Sequence, residues 1–252
     1  MSEDRQQSVL PLAGQVAVVT GGTRGLGLAI ARALAASGAS VVAASRTAHP
    51  RHVETDRIAW DRVDVTDPDS VKALMNRTAE SHGGPHIVIA NAGINRNARL
   101  HAITPGQWQD IVNTNVNGTW YTVQAAAAFM AKMRRGHIVT ISSCMATHPA
   151  RGALAYATTK AAIPTITIGA ALELAEFGIR VNCVAPGILD DGMGATLTSN
   201  ADLWGPYRKH LVMGRPGRVD EVGRFVANLV GPDGGYVNGA TIPVDGGLTM
   251  WR

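Results

Sequence analysis

The chain has 252 residues, a formal net charge of +4 and an apolar content of 46%. A chain of this length can bury a substantial core, and its scattered Lys and Arg residues argue against a nucleic-acid-binding surface. Its two cysteines, Cys144 and Cys183, provide neither a disulfide framework nor metal-ligand spacing. We therefore expect no metal site and a reduced, cytoplasmic setting.

Strand-like segments recur along the chain. The polar first residues, 1–12, are predicted to form a flexible N-terminal tail. Short apolar or β-branched runs then predict strands at Gln15–Thr20, Ser40–Ala44, His86–Ala90, His137–Ser142, Ile179–Val184 and Thr241–Val244. The segment between the second strand and Asp64 has little helical periodicity, so a helix there should be short or absent.

Helix-like segments separate these strands, at Leu26–Ser37, Asp67–Ser81, Pro105–Met133, Ala153–Phe177 and Val219–Val230. Pro164 lies inside the fourth of them, where it should remove the hydrogen bond to the Lys160 carbonyl and kink the backbone. The best apolar run, Ala161–Ala175, is too short to span a membrane. The alternation predicts an α/β fold over residues 13–252: a single Rossmann-type, doubly wound parallel sheet with helices on both faces.

The turn after the first predicted strand is rich in glycine. It reads T-G-G-T-R-G-L-G over residues 20–27, with Gly21, Gly25 and Gly27 spaced G-x-x-x-G-x-G. Glycines here allow a tight turn and the close approach of a pyrophosphate to a helix N-terminus. Many α/β turns are glycine-rich for packing alone, but this position between strand and helix favours a dinucleotide site.

The end of the second predicted strand indicates which dinucleotide binds. NAD-binding proteins usually place a carboxylate there, whereas the 2′-phosphate of NADP needs a cation. Ser45 occupies the carboxylate position, Arg46 follows it, and Arg24 lies in the glycine-rich turn. Each charge-assisted contact contributes about 1.5–3 kcal/mol. The residues therefore predict NADP(H), the alternative being two ordinary surface arginines.

Tyr156 and Lys160 are spaced Tyr-x-x-x-Lys in a predicted helix. An offset of four residues turns a helix by about 400°, so both side chains lie on one face. An ammonium about 4 Å from the phenol contributes about 4 kcal/mol at an effective dielectric of about 20. We therefore expect Lys160 to lower the pKa of Tyr156 from its usual value of about 10. By itself, however, such a pair is common on solvated helix faces.

Taken together, these motifs resemble those of the single-domain short-chain dehydrogenase/reductase family, most closely its ketoreductases similar to 3-oxoacyl-carrier-protein reductase. The resemblance runs from about Leu12 to the C-terminus. Besides the motifs above it includes D-V-T-D (64–67), A-N-A-G (90–93), N-T-N-V (113–116), I-S-S (141–143), V-A-P-G (184–187) and Y-V-N-G with V-D-G-G (236–247). It also implies a homotetramer built on the two long helices and the C-terminal strand.

The resemblance implies four catalytic residues. Ser143 would hydrogen-bond the substrate carbonyl, and Tyr156 would donate the proton. Lys160 would lower the tyrosine pKa and hold the nicotinamide ribose. Asn115 would kink its helix and hold a water that links Lys160 to solvent.

Neighbouring residues leave alternatives open. Ser142 competes with Ser143, although the register favours Ser143. Asn113 and Asn117 flank Asn115, and any of the three asparagines could simply cap or satisfy the backbone.

The resemblance also implies a set of cofactor contacts. Asp64 and Val65 would contact the adenine, the segment 91–93 would pack under the cofactor, and the segment 186–188 would bracket the nicotinamide amide. The predicted cofactor-binding residues are Gly21, Thr23, Arg24, Gly25, Leu26, Gly27, Ser45, Arg46, Asp64, Val65, Asn91, Ala92, Gly93, Tyr156, Lys160, Pro186, Gly187 and Ile188.

The chain departs from the family pattern where substrate would bind. Asp190 and Asp191 stand where the family often has a Thr that helps hold the cofactor. Residues 188–213 combine glycines with large apolar side chains and predict a mobile lid. The predicted substrate pocket consists of Ser143, Met145, His148, Met193, Trp204 and Tyr207. The basic residues Lys132, Arg134 and Arg135 could dock an acidic carrier protein, although Phe177 replaces an arginine of the carrier-protein reductases.

These residues predict NADPH-dependent reduction of a small-molecule ketone to a secondary alcohol. The ketone could be a β-ketoacyl thioester of a carrier protein or coenzyme A, a polyketide-like ketone or another medium-sized apolar ketone. One alternative is NAD(P)-dependent oxidation of a secondary alcohol. Another is a catalytically idle NADP-binding regulator, which would be expected to lose the Ser, Tyr or Lys that are all present here.

Overall fold

The computed structural model describes residues 10–47, 55–198, 204–205, 208 and 211–250. Its strands are β1 (Val16–Thr20), β2 (Ser40–Ser45), β3 (Ile58–Arg62), β4 (Ile87–Ala90), β5 (Gly136–Ile141), β6 (Ile179–Pro186) and β7 (Thr241–Val244). All neighbouring strands are parallel, in the order β3-β2-β1-β4-β5-β6-β7. The strand order reverses between β1 and β4, and such a switch point opens a crevice at the carboxyl ends of the strands.

Helices cover both faces of the sheet: α1 (Gly25–Ala36), α2 (Pro68–His82), α3 (Pro105–Val112), α4 (Gly118–Met133), α5 (Leu154–Leu174), the short α6 (Ala195–Thr198) and α7 (Val219–Val230). Ala17 and Val19 pack in one core cluster with α1 and α7, whereas Val18 packs in the other with α2, α4 and α5. Because β1 is buried on both faces, it is apolar at nearly every position. The predicted doubly wound α/β fold is confirmed.

The prediction lacked one strand, β3. This strand pairs with β2 from Val41↔Ile58 to Ser45↔Arg62 and forms an edge of the sheet. Only Ile58 is buried in it, so its apolar pattern is weak, as expected of an edge strand that pairs on one side only. The described residues between β2 and β3, 46–47 and 55–57, contain no helix; the rest of the connection, to which the prediction of a short or absent helix also applies, lies outside the described residues.

The packed domain begins earlier than predicted. Leu12 is 2% exposed and belongs to the core cluster around α1 and α7. Its N–H donates to the Ser37 carbonyl at 2.8 Å. The predicted tail over residues 1–12 is therefore too long, because Leu12 packs at the end of α1. Residues 1–9 lie outside the described part of the chain.

Candidate active site

The glycine-rich turn joins the carboxyl end of β1 to α1. Gly21 and Gly25 have φ angles of +65° and +50°, in the left-handed region that favours glycine. A Cβ on Gly27 would lie 2.1 Å from the Gly21 carbonyl oxygen and 2.5 Å from Asn91 Nδ2. In the same turn Thr23 is buried and Leu26 is half-buried. The three predicted glycines are thus required by backbone geometry.

The start of α1 fits a bound anion. The side chain of the N-cap residue, Arg24, makes no capping hydrogen bond, and the first turn of α1 contains no acidic residue. Backbone N–H groups at such an end lack intrahelical partners and attract negative charge. The cradle formed by residues 20–27 can therefore hold a pyrophosphate.

Asn91 and its neighbours join the ends of β1 and β4. Asn91 Nδ2 donates to the Thr20 carbonyl at 2.9 Å, and the N–H groups of Asn91 and Ala92 donate to Thr20 Oγ1 at 3.1 and 3.2 Å. A Cβ on Gly93 would lie 3.3 Å from Asn115 Oδ1 and 3.5 Å from Lys160 Nζ. The segment thus joins the ends of β1 and β4 and lies next to Asn115 and Lys160, two of the predicted catalytic residues.

Of the two predicted cations, Arg24 lies within the cradle and Arg46 directly follows β2. Arg24 and Arg46 are both exposed. Burial raises the pKa of Asp64, but hydrogen bonds from Thr66 and the positive charges of Arg46 and Arg62 outweigh it, so the pKa lies below its usual value. Arg46 therefore lies within electrostatic reach of Asp64.

Ser45 is held by a residue that the sequence prediction missed. Trp60, on β3, donates from Nε1 to Ser45 Oγ at 3.0 Å, and Ser45 Oγ donates to the Thr47 carbonyl at 3.1 Å. The hydroxyl therefore braces the turn that carries Arg46. Trp60 could be found only with β3, because its role depends on the pairing with β2.

Helix α5, which carries Tyr156 and Lys160, lies against the end of β5. Lys160 is 3% exposed, and its Nζ donates to the Ile141 carbonyl at 2.7 Å. Burial lowers the pKa of Lys160 to about 8. Its Nζ lies 5.7 Å from the centroid of the Tyr156 ring. The structure thus brings the pair together, but the ammonium is directed to a backbone carbonyl.

The pKa of Tyr156 moves in the direction opposite to the one expected from Lys160. Tyr156 is 8% exposed, and burial raises its pKa to about 12, against an opposing hydrogen bond with Ser143. Loss of hydration disfavours the phenolate more than the neighbouring groups stabilise it. The phenol is therefore protonated at neutral pH.

Asn115 lies in a π-helical turn, Asn113–Asn117, that breaks the long helix predicted over Pro105–Met133. Its Oδ1 accepts from the Ile94 N–H at 2.8 Å, and its Nδ2 donates to the Ile94 carbonyl at 2.9 Å and to Thr159 Oγ1 at 3.0 Å. Inserted turns of this kind often mark functional sites. Asn115 therefore braces the loop after β4 against α5, next to Lys160.

The segment after Ser143 borders a cavity of about 660 Å³ lined by Thr147, His148, Pro243 and Thr249. Small-molecule pockets usually have volumes of roughly 300–1,000 Å³. Of the predicted pocket residues, His148 thus lines a cavity, Met145 and Trp204 are half-buried, and Met193 is 57% exposed. Tyr207 lies outside the described residues.

The segment after β6 brackets the far side of the crevice. A Cβ on Gly187 would lie 2.7 Å from the Asp245 Cα, so the chain passes very close to the end of β7 at this point. Pro186 ends β6, and Ile188 is 6% exposed.

The two departing aspartates make local contacts. Asp190 Oδ1 accepts from the Val219 N–H at 3.1 Å, at the start of α7, and Asp191 Oδ1 accepts from the Gly192 N–H at 2.5 Å. A Cβ on Gly25 would lie 3.3 Å from the Gly192 Cα. The start of the predicted lid therefore packs against the phosphate cradle.

Two further properties concern the described residues only. No group of three or more His, Cys, Asp or Glu among them is placed to hold a metal ion. None of the helices in that part of the chain is long and apolar enough to cross a membrane.

Comparisons with known proteins agree with this geometry. The family model described as enoyl-(acyl carrier protein) reductase matches residues 21–249. The chain is 33% identical over 241 residues to the 3-oxoacyl-[acyl-carrier-protein] reductase FabG of Escherichia coli strain K12, covering 94% of this chain and 98% of that protein. It is 36% identical over 244 residues to the cis-4-hydroxycyclohexanecarboxylate dehydrogenase of Sinomonas cyclohexanicum, with coverages of 94% and 97%.

Among solved structures, a short-chain type dehydrogenase/reductase from Mycobacterium marinum superposes with a TM-score of 0.89 at 31% identity, covering 96% of this chain and 98% of that chain. The chain therefore belongs to the short-chain dehydrogenase/reductase family, resembles 3-oxoacyl-carrier-protein reductases and is an NAD(P)-dependent oxidoreductase.

Proposed function

We propose that the protein reduces a ketone to a secondary alcohol with NADPH, Tyr156 donating the proton. The observation that carries this direction is the burial of the Tyr156 phenol, which is 8% exposed, because burial disfavours the phenolate that oxidation would need. The nicotinamide supplies the hydride when bound. The ketone oxygen then needs a proton, and an alkoxide is far more basic than a phenolate, so transfer from Tyr156 is downhill. Oxidation would instead require Tyr156 to lose its proton first.

The surrounding residues support the proton transfer. Ser143, which lies just after the end of β5 that packs against α5, holds the ketone oxygen beside the phenol. Lys160, a buried cation 5.7 Å from the ring centroid, stabilises the phenolate that forms as the proton leaves. Asn115 hydrogen-bonds both the loop after β4 and helix α5 and so holds the two together. Its position beside Lys160 supports a role in supplying protons to that residue.

The preference for NADPH is proposed from residues 20–27 and the end of β2. The N–H groups of residues 20–27 would hold the pyrophosphate, and Arg24 and Arg46 would bind the 2′-phosphate. Asp64 and Val65 would contact the adenine, and the segment 186–188 the nicotinamide amide. Support comes from the uncapped start of α1 and from the two exposed guanidiniums at its edge.

The proposed substrates are a β-ketoacyl thioester or another medium-sized ketone. The family resemblance supports the thioester, while the basic residues give weaker support for a docked carrier protein. Arg134 donates to the Glu176 carbonyl at 2.5 Å and lies 5.8 Å from the Phe177 ring centroid. Arg135 lies 3.0 Å from His86 Nε2. Both guanidiniums are engaged within the chain, which leaves Lys132 as the better candidate for carrier contact.

A second candidate function is oxidation of a secondary alcohol. The 36% identity to a cis-4-hydroxycyclohexanecarboxylate dehydrogenase favours it. A catalytically idle regulator has less support, because Ser143, Tyr156 and Lys160 are all present and brought together.

We further propose a cytoplasmic homotetramer. The two cysteines are free and buried, which suits a reducing compartment. On α5 a stripe of small and apolar side chains is exposed at heptad-like spacing, and its members are Leu154, Thr158, Ala161, Thr165, Ile168 and Leu172. Such a stripe fits close contact with a second copy of the helix.

The proposed function is tested with the purified protein and a ketone panel. NADPH consumption is followed with β-ketoacyl thioesters, aromatic and polycyclic ketones and simple diketones. The reverse assay uses secondary alcohols, including cis-4-hydroxycyclohexanecarboxylate, with NADP⁺ or NAD⁺. Ketone turnover with NADPH supports the proposal, and turnover of alcohols alone would favour the dehydrogenase. Tight NADPH binding without turnover of any panel member would favour the regulator.

A further inference from the structure

Pro164 removes one backbone hydrogen bond from helix α5. It lies inside α5, four residues after Lys160. A proline has no N–H, so the Lys160 carbonyl loses the partner that an ordinary helix would give it. Lys160 is 3% exposed, and a buried carbonyl without a partner destabilises the fold.

Ser142 supplies the missing donor. This residue directly follows β5 and is 2% exposed. Its Oγ donates to the Lys160 carbonyl at 2.8 Å, in a buried contact. The Ser142 hydroxyl thus takes the place of the helix N–H that Pro164 lacks.

The same strand end also holds the other end of Lys160. The Ile141 carbonyl accepts from Lys160 Nζ at 2.7 Å. Two consecutive residues, Ile141 and Ser142, therefore bind the Lys160 ammonium and the Lys160 carbonyl, and Ser143 directly follows them. Hydrogen bonds join both the backbone and the side chain of Lys160 to the end of β5. The ammonium therefore has little freedom to move relative to Ser143.

We propose that Ser142 and Pro164 form a positioning pair for Lys160: Pro164 frees the Lys160 carbonyl, and Ser142 binds it and so sets the ammonium beside Tyr156. Ser142 is then not a substitute for Ser143 but a residue that acts through Lys160. In its effect on turnover, the inference rests on the proposed function.

A double-mutant cycle on turnover tests the pairing. Ser142→Ala is expected to lower kcat for ketone reduction about tenfold, the effect of losing about one hydrogen bond. In Pro164→Ala, the new N–H at residue 164 can bond the Lys160 carbonyl, so adding Ser142→Ala should cost less than twofold there. Ser142→Thr, which retains the hydroxyl, should restore most of the activity. Equal effects of Ser142→Ala in both backgrounds would overturn the pairing.

A matched control separates positioning from general stability. Thr140 Oγ1 and Thr167 Oγ1 form a buried hydrogen bond of 2.7 Å between the same two elements, away from Lys160. Thr167→Val should lower the midpoint of thermal unfolding about as much as Ser142→Ala, while leaving kcat within twofold. Equal losses of kcat in these two variants would reduce Ser142 to a packing role.

A titration of Lys160 gives a readout that does not depend on turnover. The chain has four lysines, Lys72, Lys132, Lys160 and Lys209, so ¹³C-labelled lysine side chains give a simple NMR spectrum. The titratable groups packed near the Lys160 ammonium are Tyr156 on α5 and Cys183 on β6, and burial raises the pKa of both. Both are therefore uncharged at neutral pH.

The Lys160 signal should titrate near pH 8 in the wild-type protein. Ser142→Ala should raise its midpoint, because a loosened ammonium gains hydration, whereas Thr167→Val should leave it unchanged. An unchanged midpoint in Ser142→Ala would overturn the positioning role. If the wild-type protein reduced no ketone, the proposed function would fall, while this titration would still decide the role of Ser142.

Discussion

Two corners of the same crevice hold positive charge in opposite ways. The cradle corner, formed by residues 20–27 with the end of β2, presents Arg24 and Arg46 to solvent. The catalytic corner, formed by the end of β5 and α5, buries Lys160 to 3% exposure and binds its ammonium to a backbone carbonyl. An exposed cation needs only a correctly placed backbone, whereas a buried one needs partners for its charge and for the peptide groups around it.

This difference separates binding from chemistry. At the cradle corner, the exposed guanidiniums are accessible to a phosphate. At the catalytic corner, exclusion of water moves the pKa of Lys160 down to about 8 and that of Tyr156 up to about 12. Substitutions at the first corner should therefore change affinity and cofactor choice, and substitutions at the second should change turnover and pH dependence.

The largest expected effect is that of Tyr156→Phe. Removing the hydroxyl removes the proton donor, so kcat for ketone reduction should fall by about 10²–10⁴. NADPH affinity, measured by fluorescence titration, should stay within threefold, because the ring and Lys160 remain. The fully exposed Tyr236 provides the control, and Tyr236→Phe should leave both quantities unchanged. A Tyr156→Phe variant that kept more than a tenth of the wild-type kcat would contradict the assignment of turnover to the catalytic corner.

The next effect concerns the exposed arginines. Arg46→Ala or Arg24→Ala should weaken NADPH binding by about 10- to 150-fold, the worth of one charge-assisted contact to a phosphate. NADH binding should change little, since NADH has no 2′-phosphate. Arg32→Ala, an exposed arginine on α1, is the matched control and should affect neither dinucleotide. Equal loss of NADPH and NADH affinity in Arg46→Ala would assign that arginine a general electrostatic role.

The two corners also differ in how far the sequence predicts them. The glycine spacing of the cradle follows from local backbone geometry, and the structure places each predicted glycine where a side chain would clash or φ is positive. The Tyr156–Lys160 pair was expected on one helical face and is found there. The pKa of Tyr156 was expected to fall and instead rises, because helical spacing gives the distance between two side chains but not their burial.

Long-range contacts account for what the sequence did not reveal. Ser142 and Lys160 are 18 residues apart in the chain, and nothing in the local pattern joins them until α5 packs on β5. Trp60 was missed for a similar reason, since β3 is an edge strand with a single buried residue. The predicted domain start failed at Leu12 because one apolar residue at the end of a polar segment carries no periodicity.

A smaller effect is expected from the pH dependence of stability. The pKa of Lys160 is about 8 in the folded protein and 10.5 when unperturbed. Between these values the unfolded chain binds more protons at this site, so the free energy of unfolding rises with pH, with a slope of up to about 1.4 kcal/mol per pH unit. The penalty for burying the charge is present in full below pH 8 and is relieved towards pH 10.5.

Lys160→Met removes this titration. The difference in unfolding free energy between the wild-type protein and Lys160→Met, measured in urea, should shift in favour of the wild type as pH rises from 7.5 to 10. Tyr156 contributes in the opposite sense above pH 10, as its raised pKa requires, and this contribution is shared by both proteins. Lys72→Met, at an exposed position on α2, should show no such trend. A flat difference for Lys160→Met would mean that solvent reaches the ammonium.

The smallest expected effect links the edge strand to the cradle corner. Trp60→Phe retains an aromatic side chain but replaces the indole with a smaller phenyl ring and removes the Nε1–H that donates to Ser45 Oγ at 3.0 Å, so the turn that carries Arg46 loses one hydrogen bond. The loss of one neutral hydrogen bond, about 1 kcal/mol, should weaken NADPH binding about fivefold. NADH binding should be nearly unchanged, as for Arg46→Ala, whereas Trp108→Phe on α3 should change neither. Combining Trp60→Phe with Arg46→Ala should add no further loss, because the indole acts on the phosphate through the arginine; a fully additive loss would mean that Trp60 contacts the dinucleotide itself.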